Sequence, residues 1–101
     1  MKMLMIVFRD SLEDQVLFIL KDREIKAYTV IPKVIGSGET GTVTGSPFYP
    51  GFNEMVLVVL PDDHADQIVA ELKAFRDAQI KTHPAGKTSI RVFVLPCTQA
   101  V

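Results

Sequence analysis

The stretch Glu54-Met55-Val56-Leu57-Val58-Val59-Leu60, closed by Pro61-Asp62-Asp63, decides the fold. The apolar run from Met55 to Leu60 is short for a core helix, and its valines favour an extended backbone. Successive side chains on a strand point to opposite faces, so a strand apolar at every position is covered on both. Pro61 ends the run, and Asp62 and Asp63 put acidic groups where a helix start is positive. Ala65, Ile68, Val69, Leu72 and Phe75 then recur at helical spacing, which predicts a helix over about 63–79.

Working outward gives the same alternation twice. Lys2–Phe8 is a second short apolar run and reads as a strand. Ser11 offers an N-cap, with Asp14 three residues on approximating a capping box. Leu12, Val16, Ile19 and Leu20 share one helical face, which predicts a helix from 12 to about 23. Ala27–Ile35 is rich in β-branched residues, but Pro32 cannot donate to a ladder, so an edge strand or a bulge is expected there. Past the second helix, Lys81–Lys87 is a polar connection, Ile90–Leu95 reads as the last strand, and Pro96 closes it.

The order strand, helix, strand, strand, helix, strand is that of a split βαβ, ferredoxin-like α+β sandwich with both helices on one sheet face. Its first, third and fourth strands are apolar on the other face too, as Met3, Met5 and Val7 are against Leu4, Ile6 and Phe8. Large exposed apolar patches are rarely left bare, so sheet-to-sheet packing in a homo-oligomer is expected.

At 101 residues the chain suits one domain, 1–101, and 48% apolar content with a formal charge of −1 excludes an intrinsically disordered chain. Eleven Lys and Arg against twelve Asp and Glu leave no strongly basic footprint for duplex nucleic acid. Cys97 is the single cysteine, so no disulfide framework forms within the chain. The apolar run Met3–Phe8 meets Arg9 and Asp10 too early for a secretory h-region, and no run approaches the ~18 residues needed to cross a bilayer. A cytoplasmic location is the expectation.

Gly36–Phe52 holds five glycines, two prolines, three threonines and two serines, and reads as one long loop. Its start, Gly36-Ser37-Gly38-Glu39-Thr40-Gly41-Thr42, can present backbone N–H groups to an anion, yet no helix and no lysine follow, as the phosphate-binding fingerprints require. Pro84-Ala85-Gly86-Lys87-Thr88 ends like a phosphate loop, but Lys81 stands where the first glycine of that motif belongs. His64, His83 and Cys97 lack the short spacings of zinc ligands. Helix capping accounts for Asp62, Asp63 and Asp66 without a metal, and strand packing for Met1, Met3 and Met5. Neither a nucleophile with its base nor a carboxylate pair emerges, so a binding protein is expected in preference to an enzyme. Phe48, Tyr49 and Phe52 gather at the end of the long loop and suit a docking tip.

Ile25-Lys26-Ala27-Tyr28-Thr29-Val30, the later Lys33, Gly36-Ser37-Gly38 opening a long loop, Asp62-Asp63, and Gly86-Lys87 before the last strand together resemble the P-II signalling family. The likeness spans essentially the whole chain as scattered matches. It implies a ferredoxin-like homotrimer that binds an adenine nucleotide (ATP, ADP or AMP) between subunits. The resemblance assigns Thr29, Gly36, Ser37, Gly38, Gly86, Lys87 and Thr88 to that nucleotide. The long loop corresponds to the family's T-loop, which engages a membrane transporter or an enzyme; here Glu39, Thr40, Thr42, Phe48 and Tyr49 would form the contact. Glu39 stands where the family has arginine, and Pro84-Ala85-Gly86-Lys87 replaces Gly-Asp-Gly-Lys. With Tyr49-Pro50-Gly51-Phe52-Asn53, these departures make the chain similar to divergent P-II-like proteins. The alternative is a divalent-metal-responsive trimer of the CutA type, with His64, His83 and Cys97 meeting across a subunit boundary.

Overall fold

A computed structural model describes residues 1–38, 41–43, 51–82 and 89–101. Strand β1 (Lys2–Arg9) runs through a 3-10 turn (Asp10–Leu12) into helix α1 (Glu13–Asp22). Strand β2 (Thr29–Val34) follows, then a small ribbon of β3 (Gly36–Gly38) and β4 (Gly41–Val43). Strand β5 (Asn53–Leu60), helix α2 (Asp62–Thr82) and strand β6 (Ile90–Pro96) complete the fold. The main sheet is antiparallel in the order β2-β5-β1-β6, so the two central strands are the most continuously apolar ones. This is the ferredoxin-like order expected from the sequence.

One face of this sheet carries the core. Leu4, Ile6 and Phe8 of β1 are fully buried, with Val56, Val58 and Leu60 of β5 and Ile90 of β6 in the same cluster. Against them pack Leu12, Val16 and Leu20 around α1, and Ala65, Ile68 and Leu72 of α2. The helical spacing in the sequence thus marks the sides of the helices that the sheet covers. No helix among the described residues covers the opposite face. By register it carries Met3, Met5, Val7, Met55, Leu57, Val59, Phe93 and Leu95, with Phe93 half exposed and Leu95 and Val59 more than a third exposed.

Pro32 sits where its missing donor predicts: the β2–β5 register shifts between Ile31 and Val34, and Lys33 within that bulge takes a left-handed φ of 57°. The expected cap at Ser11 is not formed. Ser11 is exposed inside the 3-10 turn, and Leu12 is the residue preceding α1, with no side-chain cap bond. The reason lies at Asp10, whose main chain is tied to Phe52, so the chain begins to turn before Ser11. Helix α2 runs to Thr82 and not to 79, because nothing between Gln79 and Thr82 breaks it; Thr82 Oγ1 donates to the Ala78 carbonyl. Gly36–Phe52 is not one irregular loop, since its first described part forms the β3–β4 ribbon.

Helix α1 ends in a Schellman arrangement: the Glu24 N–H donates to the Lys21 carbonyl at 2.9 Å, and the Ile25 N–H to Leu20 at 3.0 Å. Glu24 occupies the left-handed position, φ 59°, that glycine adopts without strain. Glu24→Gly should therefore stabilise the fold by about 1 kcal/mol, against an estimated cost of ~1–2 kcal/mol for a left-handed L-residue. Urea unfolding measures it, and an unchanged or lower midpoint would count against the strain. At the other end of the sheet, the Met1 ammonium meets Asp62 Oδ1 at 2.7 Å and holds that carboxyl below its ordinary range. No helix among the described residues is long and apolar enough to cross a membrane.

Candidate functional site

The two long connections of the chain are rooted at one place, the Arg9–Asp10 step at the end of β1. The Asp10 N–H donates to the Phe52 carbonyl at 2.9 Å, and the Phe52 N–H returns a bond to Asp10 Oδ2 at 3.1 Å. The Arg9 N–H donates to the Ser89 carbonyl at 3.3 Å, where the chain emerges from residues 83–88. Central strand β1 thus extends its pairing one step past each neighbour and fixes both segments as they arrive.

Two glycines let the chain pass closely here. A Cβ on Gly36 would lie 2.5 Å from Asn53 Nδ2, so any side chain there would displace the Asn53 amide. Gly51 has φ 85°, and a Cβ there would meet Asp10 Oδ1 at 3.1 Å and Arg9 Nη2 at 3.2 Å. Alternation places Arg9, Asn53 and Arg91 on the open face of the sheet, with Arg9 opposite Asn53 and Arg91 opposite Val7. Arg9 and Arg91 are thus diagonal neighbours, roughly 7–8 Å apart at Cα, at one end of that face.

Glu54 turns the other way, into the helix-covered face beside Phe8. It is the buried charged residue among the described ones, with 6% of its surface exposed, and its Oε2 has no hydrogen-bond partner. Burial pushes its carboxyl above the ordinary range; the charges of Glu13 and Asp10, and a hydrogen bond with the Glu13 side chain, push it the same way.

The residues expected to hold a nucleotide divide into groups. Gly36, Ser37 and Gly38 form β3 at the root just described, and Thr42 lies in β4 opposite Ser37. Thr29 is exposed at the far end of β2, opposite Leu57. Seven residues separate it from Gly36, about 20 Å along an extended chain. One chain therefore does not bring Thr29 and Gly36 together. Thr29 instead adjoins an open groove of about 440 Å³ between α1 and the start of β2, lined by Leu17, Phe18, Lys21, Ile25, Lys26 and Tyr28 with Asp14. Gly86, Lys87 and Thr88, and of the contact residues Glu39, Thr40, Phe48 and Tyr49, lie outside the described residues. So does His83; His64 is exposed in the first turn of α2, and Cys97 is half-buried past β6. No group of three or more metal-ligating side chains is found among the described residues.

Arg9, Asp10, Asn53, Glu54 and Arg91 do not stand out in the sequence as site residues. For Glu54 a signal was present: it has the same parity as Val56, Val58 and Leu60, so a strand starting there turns its carboxylate inward. The Arg9–Asp10 root rests mostly on main-chain bonds, which leave no mark on residue type.

In structure the chain is similar to CPII, a nitrogen regulatory PII-like protein from Thiomonas intermedia solved with ADP, AMP and bicarbonate. The TM-score is 0.72 at 20% identity, over 92% of this chain and 81% of that one. The apo form of CPII matches with a TM-score of 0.65 at 17% identity, over 92% and 84%. A PII-like signaling protein from Thermus thermophilus matches with 0.56 at 18% identity, over 92% and 81%. A comparison with curated protein sequences returns no match. The family description "Nitrogen regulatory protein P-II" fits residues 1–101. By that match over its full length, the chain belongs to the nitrogen regulatory protein P-II family.

Proposed function

We propose that this protein is a trimeric signalling regulator that binds an adenine nucleotide between subunits and reports it through the segment from Gly36 to Phe52. The observation that carries this reading is the separation of Thr29 from Gly36. A ligand touching both needs Thr29 from one copy and the Arg9–Asp10 root from another, and the uncovered apolar face of the sheet supplies a reason for copies to associate. Arg9, whose guanidinium lies by Gly51 at this root, suits an anionic ligand. CPII, crystallised with ADP, AMP and bicarbonate, supports the choice of an adenine nucleotide. Gly86, Lys87 and Thr88 would face the phosphates, since they precede Ser89 at the same root. The segment carrying Glu39, Thr40, Thr42, Phe48 and Tyr49 would meet a transporter or an enzyme. The protein itself would act in the cytoplasm as a binder, without catalysis.

Isothermal titration with ATP, ADP and AMP tests the ligand; heat from none of the three would end the nucleotide reading. Lys87→Ala should weaken binding roughly ten- to hundredfold, since a hydrogen bond to a charged group contributes about 1.5–3 kcal/mol. Its assembly on a sizing column should match that of the wild type. Undiminished affinity in this variant would show that the phosphates lie elsewhere.

A further inference from the structure

The two edges of the main sheet are unlike. On β2 the edge is broken: Pro32 has no donor, the register shifts between Ile31 and Val34, and Lys33 stands in the bulge. On β6 nothing of the kind interrupts the run from Ile90 to Leu95 before Pro96 closes it. Its hydrogen-bonding directions follow from the bonds at its two ends. The Arg9 N–H donates to the Ser89 carbonyl and the Cys97 N–H to the Met1 carbonyl, so Ser89 and Cys97 face β1. By alternation Arg91, Phe93 and Leu95 face β1 as well, and the N–H and C=O groups of Ile90, Val92 and Val94 point away from the sheet. A further strand would complete that row.

Beside it runs a groove of about 340 Å³ between β6 and α2. Helix α2 lines it with one stripe, Val69, Leu72, Lys73 and Arg76, and β6 lines it with Ile90, Arg91, Val92 and Phe93. Strands β5 and β6 both run antiparallel to β1, so α2, which joins them, runs the other way. Lys73 and Arg76 therefore stand with Arg91 near the start of β6, and Val69 lies further along. The groove is cationic at one end and apolar at the other. Arg76 shares Asp77 Oδ1 at 3.1 Å, whereas Lys73 and Arg91 are exposed and have no ion-pair partner among the described residues.

We infer that β6 takes up an extended acidic segment of a partner protein as a fifth strand of the main sheet. Antiparallel pairing, the more stable kind, sets the order of that segment: apolar residues first, acidic ones after. On its helix side an acid meets Lys73 and Arg76, and on its open side Arg91, so both faces select the same charge. A second copy of the chain suits the edge less well. Its β2 is interrupted by the bulge and adds Lys33, and its β6 brings the same cations with it.

Such a strand needs no nucleotide, so it is tested on the ligand-free protein and stands or falls apart from the proposed function. The probe is a blocked peptide of alternating valine and threonine that ends in glutamates; its counterpart ends in as many lysines. In amide NMR the acidic peptide should shift and protect Val92 and Val94. With about three partly exposed charge pairs, it should bind at least about tenfold more tightly than the basic one at low salt. Added salt should narrow the difference. Lys73→Glu combined with Arg91→Glu should reverse the preference. Val94→Pro removes a donor that β1 does not use and should abolish binding of the acidic peptide, with circular dichroism unchanged. If Val94→Pro fails to fold, the charge reversal carries the test alone. No binding, shifts confined to other elements, equal affinity for the two peptides, or a preference that survives the reversal would overturn the inference. So would Val92 and Val94 amides already protected without peptide, with an assembly mass that falls in Val94→Pro, because a second copy would then hold the edge.

Discussion

Met5→Lys should leave the chain folded and separate the proposed assembly into single chains. Met5 stands at the centre of the uncovered face, opposite Leu57 on β5 and Phe93 on β6. In one chain this position is only partly buried, so a lysine stem can lie along the sheet with its ammonium in water. Between packed sheets the same ammonium has no exit. An uncompensated charge in such an interface costs about 3–5 kcal/mol, a factor of roughly a hundred to several thousand in the dissociation constant. Sizing chromatography with light scattering should give a multiple of the chain mass for the wild type and the mass of one chain for Met5→Lys. Circular dichroism should be unchanged. A variant that stays assembled, or a wild type that is already monomeric, would place the covering of this face elsewhere.

Phe8→Ala acts on the covered face and costs about 3–5 kcal/mol. The ring is fully buried in the shared core, and in register it lies between Glu54 and Ile90. Against the ~5–15 kcal/mol that separates a typical domain from its unfolded state, this is a large fraction. Phe8 also directly precedes Arg9 and Asp10, so the cavity opens beneath the root of both long connections. At fixed protein concentration, urea unfolding should show a midpoint lower by at least about 1 M, taking a slope of ~1–3 kcal/mol per molar. Exchange at Phe52 should quicken more than exchange in the middle of β1. A midpoint within a few tenths of a molar of the wild type would mean that the core refills the space.

The sheet was legible because its evidence is local. Six-residue apolar runs, the proline at 32 and the helical spacing of Val16 with Leu20, or of Ile68 with Leu72, each reflect an environment that residue type responds to. Strand order followed from the sequence of elements, and the shift beside Pro32 from its missing donor. The helix start near Ser11 misled because a serine three residues before an acid meets the local rule for a cap. A long-range tie between Asp10 and Phe52 decides the geometry there, and local chemistry does not record it. The site was less legible for the same reason. Gly36 is proposed as a ligand residue through resemblance to a family alone, and its packing against Asn53 depends on a neighbour 17 residues away. The same resemblance pairs Thr29 with Gly36 across subunits, and no local feature records that one chain sets Thr29 at the start of β2 and Gly36 beyond its end.

The Arg9–Asp10 root has a consequence for how such a chain changes over generations. Its ties are two main-chain bonds and one carboxylate, and they clasp residues 52 and 89 whatever lies between them and the sheet. Substitutions between Gly38 and Gly51, or between Thr82 and Ser89, leave those clasps untouched. Such stretches can drift, lengthen or exchange their chemistry while the sheet and its core remain as they are. A lineage built this way can acquire new correspondents without first having to invent a new scaffold.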